Sequence, residues 1–266
     1  MRFMATILGA LLFLFFSNVA LAADEKFTTV KTPRGVSQPF IFAMPDNPKA
    51  GVILFVGGDG ALGLTNSGRI TKSENNFLAR TYKDFVDNGF MVALVDVPSG
   101  KKKISPKFRI SKKHAGDMIA VIKYMNNQAD VPIWMVGTSM GTFSAASVAI
   151  KKQQKVSGLV LTSTITRSNK KHKSTMEFPN GVLDLNLQKL KMPVPVLAHK
   201  KDGCIVTPPA DAAKFEGRLS QSPRVEIVIL EGGKKPISDP CHARAQHGFY
   251  GIEAEAVARI TNFITQ

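Results

Sequence analysis

Short, almost continuous apolar runs alternate along the chain with segments whose apolar positions recur every three or four residues. The runs cover residues 51–56, 90–97, 131–136, 156–162, 194–198 and 225–230. Runs of this length, rich in β-branched residues and bounded by turn formers, mark strands covered on both faces, as in a mostly parallel sheet. Between them, Leu78, Tyr82 and Phe85 lie on one helical face before Gly89. Met118, Val121, Ile122 and Met125 do the same after Ser111, a residue suited to capping a helix. A third helix is expected after Ser139, and a fourth from Pro208 and Pro209 through Asp211 to Leu219. A last helix is expected from Ile252 through Ala256 and Ile260 to Phe263. The repeated β-α-β order predicts an α/β domain. Residues 26–48 precede the alternation and are expected to form an antiparallel pair at the sheet edge, turning at Thr32-Pro33-Arg34-Gly35. Residues 57–74 and 167–191 break the alternation, and their polar, glycine-containing or basic composition predicts excursions over the surface.

Composition narrows this picture in two ways. The 266 residues are 44% hydrophobic, enough for one full core, and no repeat, low-complexity stretch or linker divides residues 24–266, which are expected to form a single domain. Lys and Arg number 35 against 20 Asp and Glu, a net charge of +15. At about 0.06 charges per residue this is far too little to keep the chain unfolded, so it implies a basic surface. Residues 1–23 stand apart. Arg2, an apolar stretch through Phe16 and the small residues Ala20-Leu21-Ala22 form the pattern of an export signal cleaved after Ala22 or Ala23, with an uncleaved anchor as the alternative. The mature protein is then expected in the periplasm or outside the cell, without stable membrane insertion. In an oxidising compartment an even cysteine count favours a disulfide. Cys204 to Cys241 would close a loop of about 38 residues, worth roughly 4 kcal/mol by loop entropy.

The candidate chemistry begins at Gly137-Thr138-Ser139-Met140-Gly141, between an apolar run and a helical segment. Glycines at these positions allow a sharp strand-to-helix turn that presents a serine hydroxyl beside a helix N-terminus, which marks Ser139 as a nucleophile. Serine needs a base, and the base needs an orienting acid. Asp202, just past the run at 194–198, is the favoured acid, with Asp184 and Asp211 as weaker candidates. His247, on the glycine-flanked loop before the last helix, is favoured over His242 as the base. His114, His172 and His199 fit solvated or structural roles better. The backbone N–H of Met140 and that of Gly58, within Gly57-Gly58-Asp59-Gly60, are the expected oxyanion donors. The proposed disulfide would tie the Asp202 loop to the His247 loop. No close Cys/His ligand pair marks a metal site, and neither a P-loop nor a dinucleotide fingerprint follows the glycine-rich loop, so no cofactor is expected.

Serine elbow, later aspartate and last histidine, in this chain order, resemble the α/β-hydrolase superfamily over about residues 50–265. The segments Asp202-Gly203-Cys204 and Cys241 to Phe249, with His247-Gly248-Phe249 at its end, resemble its dienelactone-hydrolase-like branch of small secreted enzymes. Ser139 stands where true dienelactone hydrolases use cysteine. The resemblance implies a mostly parallel sheet of about eight strands flanked by helices, no large lid domain, and cofactor-free hydrolysis of an ester or related acyl bond. Two readings follow. One is a secreted serine hydrolase acting on a small acyl substrate, an anionic one being suited to the basic surface. The other is a non-catalytic binding or accessory protein on the same scaffold. The densest basic run, Lys101-Lys102-Lys103 with Lys107, Arg109, Lys112 and Lys113, reads first as a solvated loop and second as a patch for anions. Aromatic residues do not interleave with these lysines, and nucleic acid is not an expected partner.

Overall fold

A computed structural model describes residues 24–266, and the segment read as an export signal lies outside the described residues. Eight strands form one sheet: β1 (Asp24–Lys31), β2 (Ser37–Met44), β3 (Ala50–Phe55), β4 (Phe90–Val95), β5 (Ile133–Thr138), β6 (Gly158–Thr162), β7 (Val194–His199) and β8 (Val225–Leu230). Their spatial order is β1-β2-β4-β3-β5-β6-β7-β8. The strand β2 runs antiparallel to both β1 and β4, and every pairing from β4 through β8 is parallel. The edge pair expected from residues 26–48 is therefore present, and its turn is closed by a bond from the Gly35 N–H to the Thr32 carbonyl. Strands β3 to β7 are buried along their whole length, which accounts for their unbroken apolar runs, whereas β8 at the open edge is half-exposed.

Helices α1 (Phe77–Asp87), α2 (Pro106–Arg109), α3 (Lys112–Asn126), α4 (Gly141–Lys151), α5 (Lys214–Arg218) and α6 (Glu253–Thr265) fill the connections. On one face Phe77, Phe85, Val257 and Ile260 of α1 and α6 pack on Val52, Leu54 and Val136. On the other, Met118, Ile122 and Phe143 of α3 and α4 pack on Ile53, Met91 and Met135. The Ser111 hydroxyl accepts the His114 N–H at 3.1 Å and so starts α3 as expected.

Two expectations need correction. The fourth helix is broken, a 3₁₀ turn at Pro209–Ala213 leading into the single turn of α5. Nor is the 167–191 stretch a simple surface excursion, because Val182, Leu187 and Leu190 are fully buried in the α4 side of the core. Three 3₁₀ turns, Lys173–Thr175, Gly181–Asp184 and Leu187–Lys189, carry the chain there, and such short turns tuck in single apolar residues without any helical period. With every strand from β3 to β8 parallel, their C-terminal ends share one edge of the sheet, and the loops leaving that edge carry Gly58, Ser139, Ser163, Asp202 and His247.

Candidate active site

Ser139 occupies the two-residue turn between β5 and α4 with φ of +51°, the left-handed region that costs a non-glycine residue about 1 kcal/mol or more. The turn is fixed from both sides. The Ser139 N–H donates to the Thr162 carbonyl of β6 at 3.0 Å, and the Ser139 carbonyl accepts the Thr142 N–H and, at 2.5 Å, the Thr142 hydroxyl. A Cβ at Gly141 would stand 2.0 Å from the Phe55 carbonyl, so only glycine lets α4 start this close to β3. Gly57 shows the same constraint beside the hydroxyl itself, since a Cβ there would lie 3.0 Å from that of Ser139.

Asp202 and His247 meet across 45 residues of sequence: His247 Nδ1 lies 3.0 Å from Asp202 Oδ2, with both side chains buried. The carboxylate is held on both oxygens. Oδ1 accepts the Cys204 N–H at 2.9 Å, and Oδ2 accepts the Thr207 hydroxyl at 2.9 Å, which also stands 3.1 Å from His247 Nδ1. These donors fix the orientation of the carboxylate, and its bond to Nδ1 fixes the tautomer that leaves Nε2 free to accept a proton. The His247 loop is anchored separately. Its carbonyl accepts the Ser163 hydroxyl at 2.7 Å, the Gly248 carbonyl accepts Arg80 of α1 at 2.6 Å, and Cys204 and Cys241 form a disulfide. Ser139, His247, Gly57 and Asn76 line one small cavity of about 50 Å³.

The other carboxylates and histidines lie in different settings. Asp211 binds Arg167 at 2.8 Å, Lys214 at 2.8 Å and the Thr166 hydroxyl. The Arg167 bond, against the opposing effect of burial, holds its carboxyl well below the usual carboxylate range. Asp184 bonds the Asn180 N–H and amide at the surface. His199 accepts the Lys201 N–H, and His242 is exposed beside Asp239. Asp202 and His247 are thus the favoured acid and base that the fold brings together.

Neither the Gly58 nor the Met140 N–H has an acceptor among the described residues, so both are free to donate. Behind Gly58 lies Arg109, read in the sequence as part of a surface run but fully buried here. Its Nη2 donates to the carbonyls of Gly58 at 3.3 Å and Val56 at 3.4 Å, and its Nη1 to the Ser144 hydroxyl of α4 at 3.0 Å. Burial lowers the guanidinium to about 10, opposed by the charge of Asp59, and the group remains charged near neutrality. The grip on the carbonyls of Val56 and Gly58, two positions apart, fixes the glycine loop relative to α4. Under it, His114 packs edge-on to Phe55, with neither ring nitrogen hydrogen-bonded. Burial, with the charges of Arg109 and Arg34 adding to it, pushes that imidazole down to about 3. Thr207, Ser163 and Arg109 were not singled out in the sequence as site residues. Thr207 lies five positions after Asp202, but its contact with His247 exists only in the fold.

A sheet in the order 1-2-4-3-5-6-7-8, a strained serine between β5 and α4, and an aspartate after β7 bonded to a histidine before the last helix define an α/β-hydrolase fold. Residues 71–215 match the family model described as serine aminopeptidase, S33, and the chain belongs to that family of hydrolases. The matched segment contains Ser139 and Asp202 and ends before His247. No curated protein matches the chain. Among solved structures, an esterase of Pyrococcus furiosus is similar with a TM-score of 0.64 at 16% identity, over 91% of this chain and 90% of that one. A predicted CIB-like hydrolase of Thermoplasma acidophilum is similar with a TM-score of 0.55 at 15% identity, over 92% and 99%. Dipeptidyl peptidase 4 of Porphyromonas gingivalis has a TM-score of 0.61 at 13% identity, over 91% of this chain and 35% of that chain.

Proposed function

We propose that the protein is an exported serine hydrolase that cleaves a carboxylic ester or related acyl bond through an acyl-enzyme. Ser139 Oγ attacks the acyl carbon and passes its proton to His247 Nε2. The negative oxygen of the tetrahedral intermediate is met by the Gly58 and Met140 N–H groups. His247 then returns the proton to the leaving oxygen, the acyl group remains on Ser139, and water activated by the same imidazole releases the acid. Asp202 holds His247 in the tautomer this exchange requires and stabilises its charged form. The observation that carries the reading is the buried Asp202–His247 hydrogen bond beside a serine held in strained backbone geometry, with Ser139 and His247 lining one cavity.

The family description favours a second reading, a peptidase acting at a free amino terminus. Recognition of an ammonium group calls for acidic side chains. The larger cavity at Ser139 carries Asp59 against Lys101 and Lys103, which favours the ester reading. The oxidised protein is expected to release 4-nitrophenol from 4-nitrophenyl butyrate much faster than 4-nitroaniline from alanyl and prolyl 4-nitroanilides. In Ser139→Ala and His247→Ala variants the ester rate is expected to fall by roughly a thousandfold or more. Ester turnover that survives both substitutions, in folded protein, contradicts the assignment, and preferential anilide cleavage selects the peptidase.

A further inference from the structure

A cavity of about 590 Å³ opens beside Ser139. Its deep wall is apolar, with Ile104, Met140, Ile165 and Val206 all buried and Phe108 half-buried, while Lys101 and Lys103 stand exposed at its mouth. Much of the lining comes from two distant stretches, 101–108 after β4, which supplies Lys101 and Lys103, and 172–175 after β6, which supplies His172, Ser174 and Thr175. Lys101 is also ordered by its neighbour, its Nζ lying 4.6 Å from the centre of the Phe108 ring, so one charge stands directly over the apolar lining. His172 and His242 line the same cavity, and among the described residues Asp59 is the single acidic one lining it.

The orientation of a substrate follows from where the proton must go. A leaving group has to reach His247, which lines the small cavity and not this larger one, whereas Ser139, Met140 and Gly58 line the larger one. The acyl half therefore extends into the larger cavity, toward Phe108 and the lysines. We propose that the acyl group cleaved by this protein has an apolar body ending in an anion, a carboxylate or a phosphate, with the apolar part against Ile104, Phe108 and Ile165 and the negative end at Lys101 and Lys103. The assignment of acyl and leaving sides rests on the hydrolase reading above, while the anion site itself stands on the lining of the cavity.

Two sets of ligands test it in the oxidised protein. The first pair is mono-4-nitrophenyl glutarate and 4-nitrophenyl pentanoate, equal in carbon count and differing in a terminal carboxylate. The glutarate ester is expected to have a kcat/KM about tenfold higher, with the ratio falling to near one in a Lys101→Gln, Lys103→Gln double variant. The ratio is expected to persist in Lys152→Gln, Lys155→Gln, which removes equal charge at the opposite end of α4. A ratio of one or less in the unmodified protein, or one that survives loss of Lys101 and Lys103, overturns the proposal. The second set, pentanoate, pentyl phosphate and pentan-1-ol, is read by calorimetry on the Ser139→Ala protein, where the anions should bind more tightly than the alcohol, the tighter of the two identifying the anion. Anion binding lost with Lys101 and Lys103, in a protein that cleaves neither ester and takes no fluorophosphonate at Ser139, would keep the anion site and remove the catalytic role. Equal binding of alcohol and anions overturns the anion site whether or not the chain is a hydrolase.

Discussion

Arg109, buried and charged, and His114, buried and neutral, lie directly behind the glycine loop that faces Ser139, and the imidazole makes stability depend on pH. The guanidinium has no carboxylate within ion-pair distance among the described residues, and its Nε has no partner. Such a charge costs several kcal/mol to bury, which the hydrogen bonds to Gly58, Val56 and Ser144 offset only in part. His114, pressed against it, is held neutral at about 3, against 6.5 in an unfolded chain. The unfolded state therefore binds a proton that the folded state refuses between these values, so stability is fully present above pH 6.5 and is lost as the pH falls. Between pH 6.5 and pH 5 this one group should cost about 2 kcal/mol. Urea unfolding at the two pH values is expected to show that loss, and a His114→Leu variant should show a shallower dependence by that amount. An unchanged slope in the variant would contradict the buried neutral imidazole.

At the level of elements, the disulfide joins covalently two loops that also meet through the Asp202–His247 contact and its Thr207 bridge. Replacing both cysteines by alanine is expected to lower stability by roughly 4 kcal/mol on the loop-entropy model. The ester rate should fall with it, because the loop from Pro240 to Ala245 is then held by fewer constraints. Chemical denaturation and 4-nitrophenyl butyrate turnover, measured below the unfolding transition, separate the two effects. Full activity in a stably folded double variant would show that the bridge plays no part in aligning His247. The strands were legible in sequence because β3 to β7 are covered on both faces, and a wholly buried strand has to be apolar at every position. The serine turn was legible for a similar reason, since Gly141 meets a carbonyl where any Cβ would collide. The 167–191 segment was not, as its buried Val182, Leu187 and Leu190 follow no regular period. Arg109 misled because a lone arginine among six nearby lysines looks solvated, and only the fold reveals the carbonyls that receive it.

Across the whole molecule, the candidate site gathers along the edge where the parallel strands end, and two of the chain's lysines, Lys101 and Lys103, stand there too. The loop after β4 carries Lys101 and Lys103 to the mouth of the cavity and the loop after β6 carries His172 to its lining, while the loops after β3, β5 and β7 and the loop before α6 carry Gly58, Ser139, Asp202 and His247. On the proposed reading, this division would let the scaffold hold the reacting groups in fixed geometry while the outer loops select the substrate. The central claim is that Ser139 is an activated nucleophile with His247 as its base. Treating the oxidised protein with a fluorophosphonate and mapping the adduct by mass spectrometry tests that claim most directly. A single adduct on Ser139, absent in Ser139→Ala and slowed by orders of magnitude in His247→Ala, is the predicted result. A folded protein that takes no label, or takes it at another residue, would contradict the account.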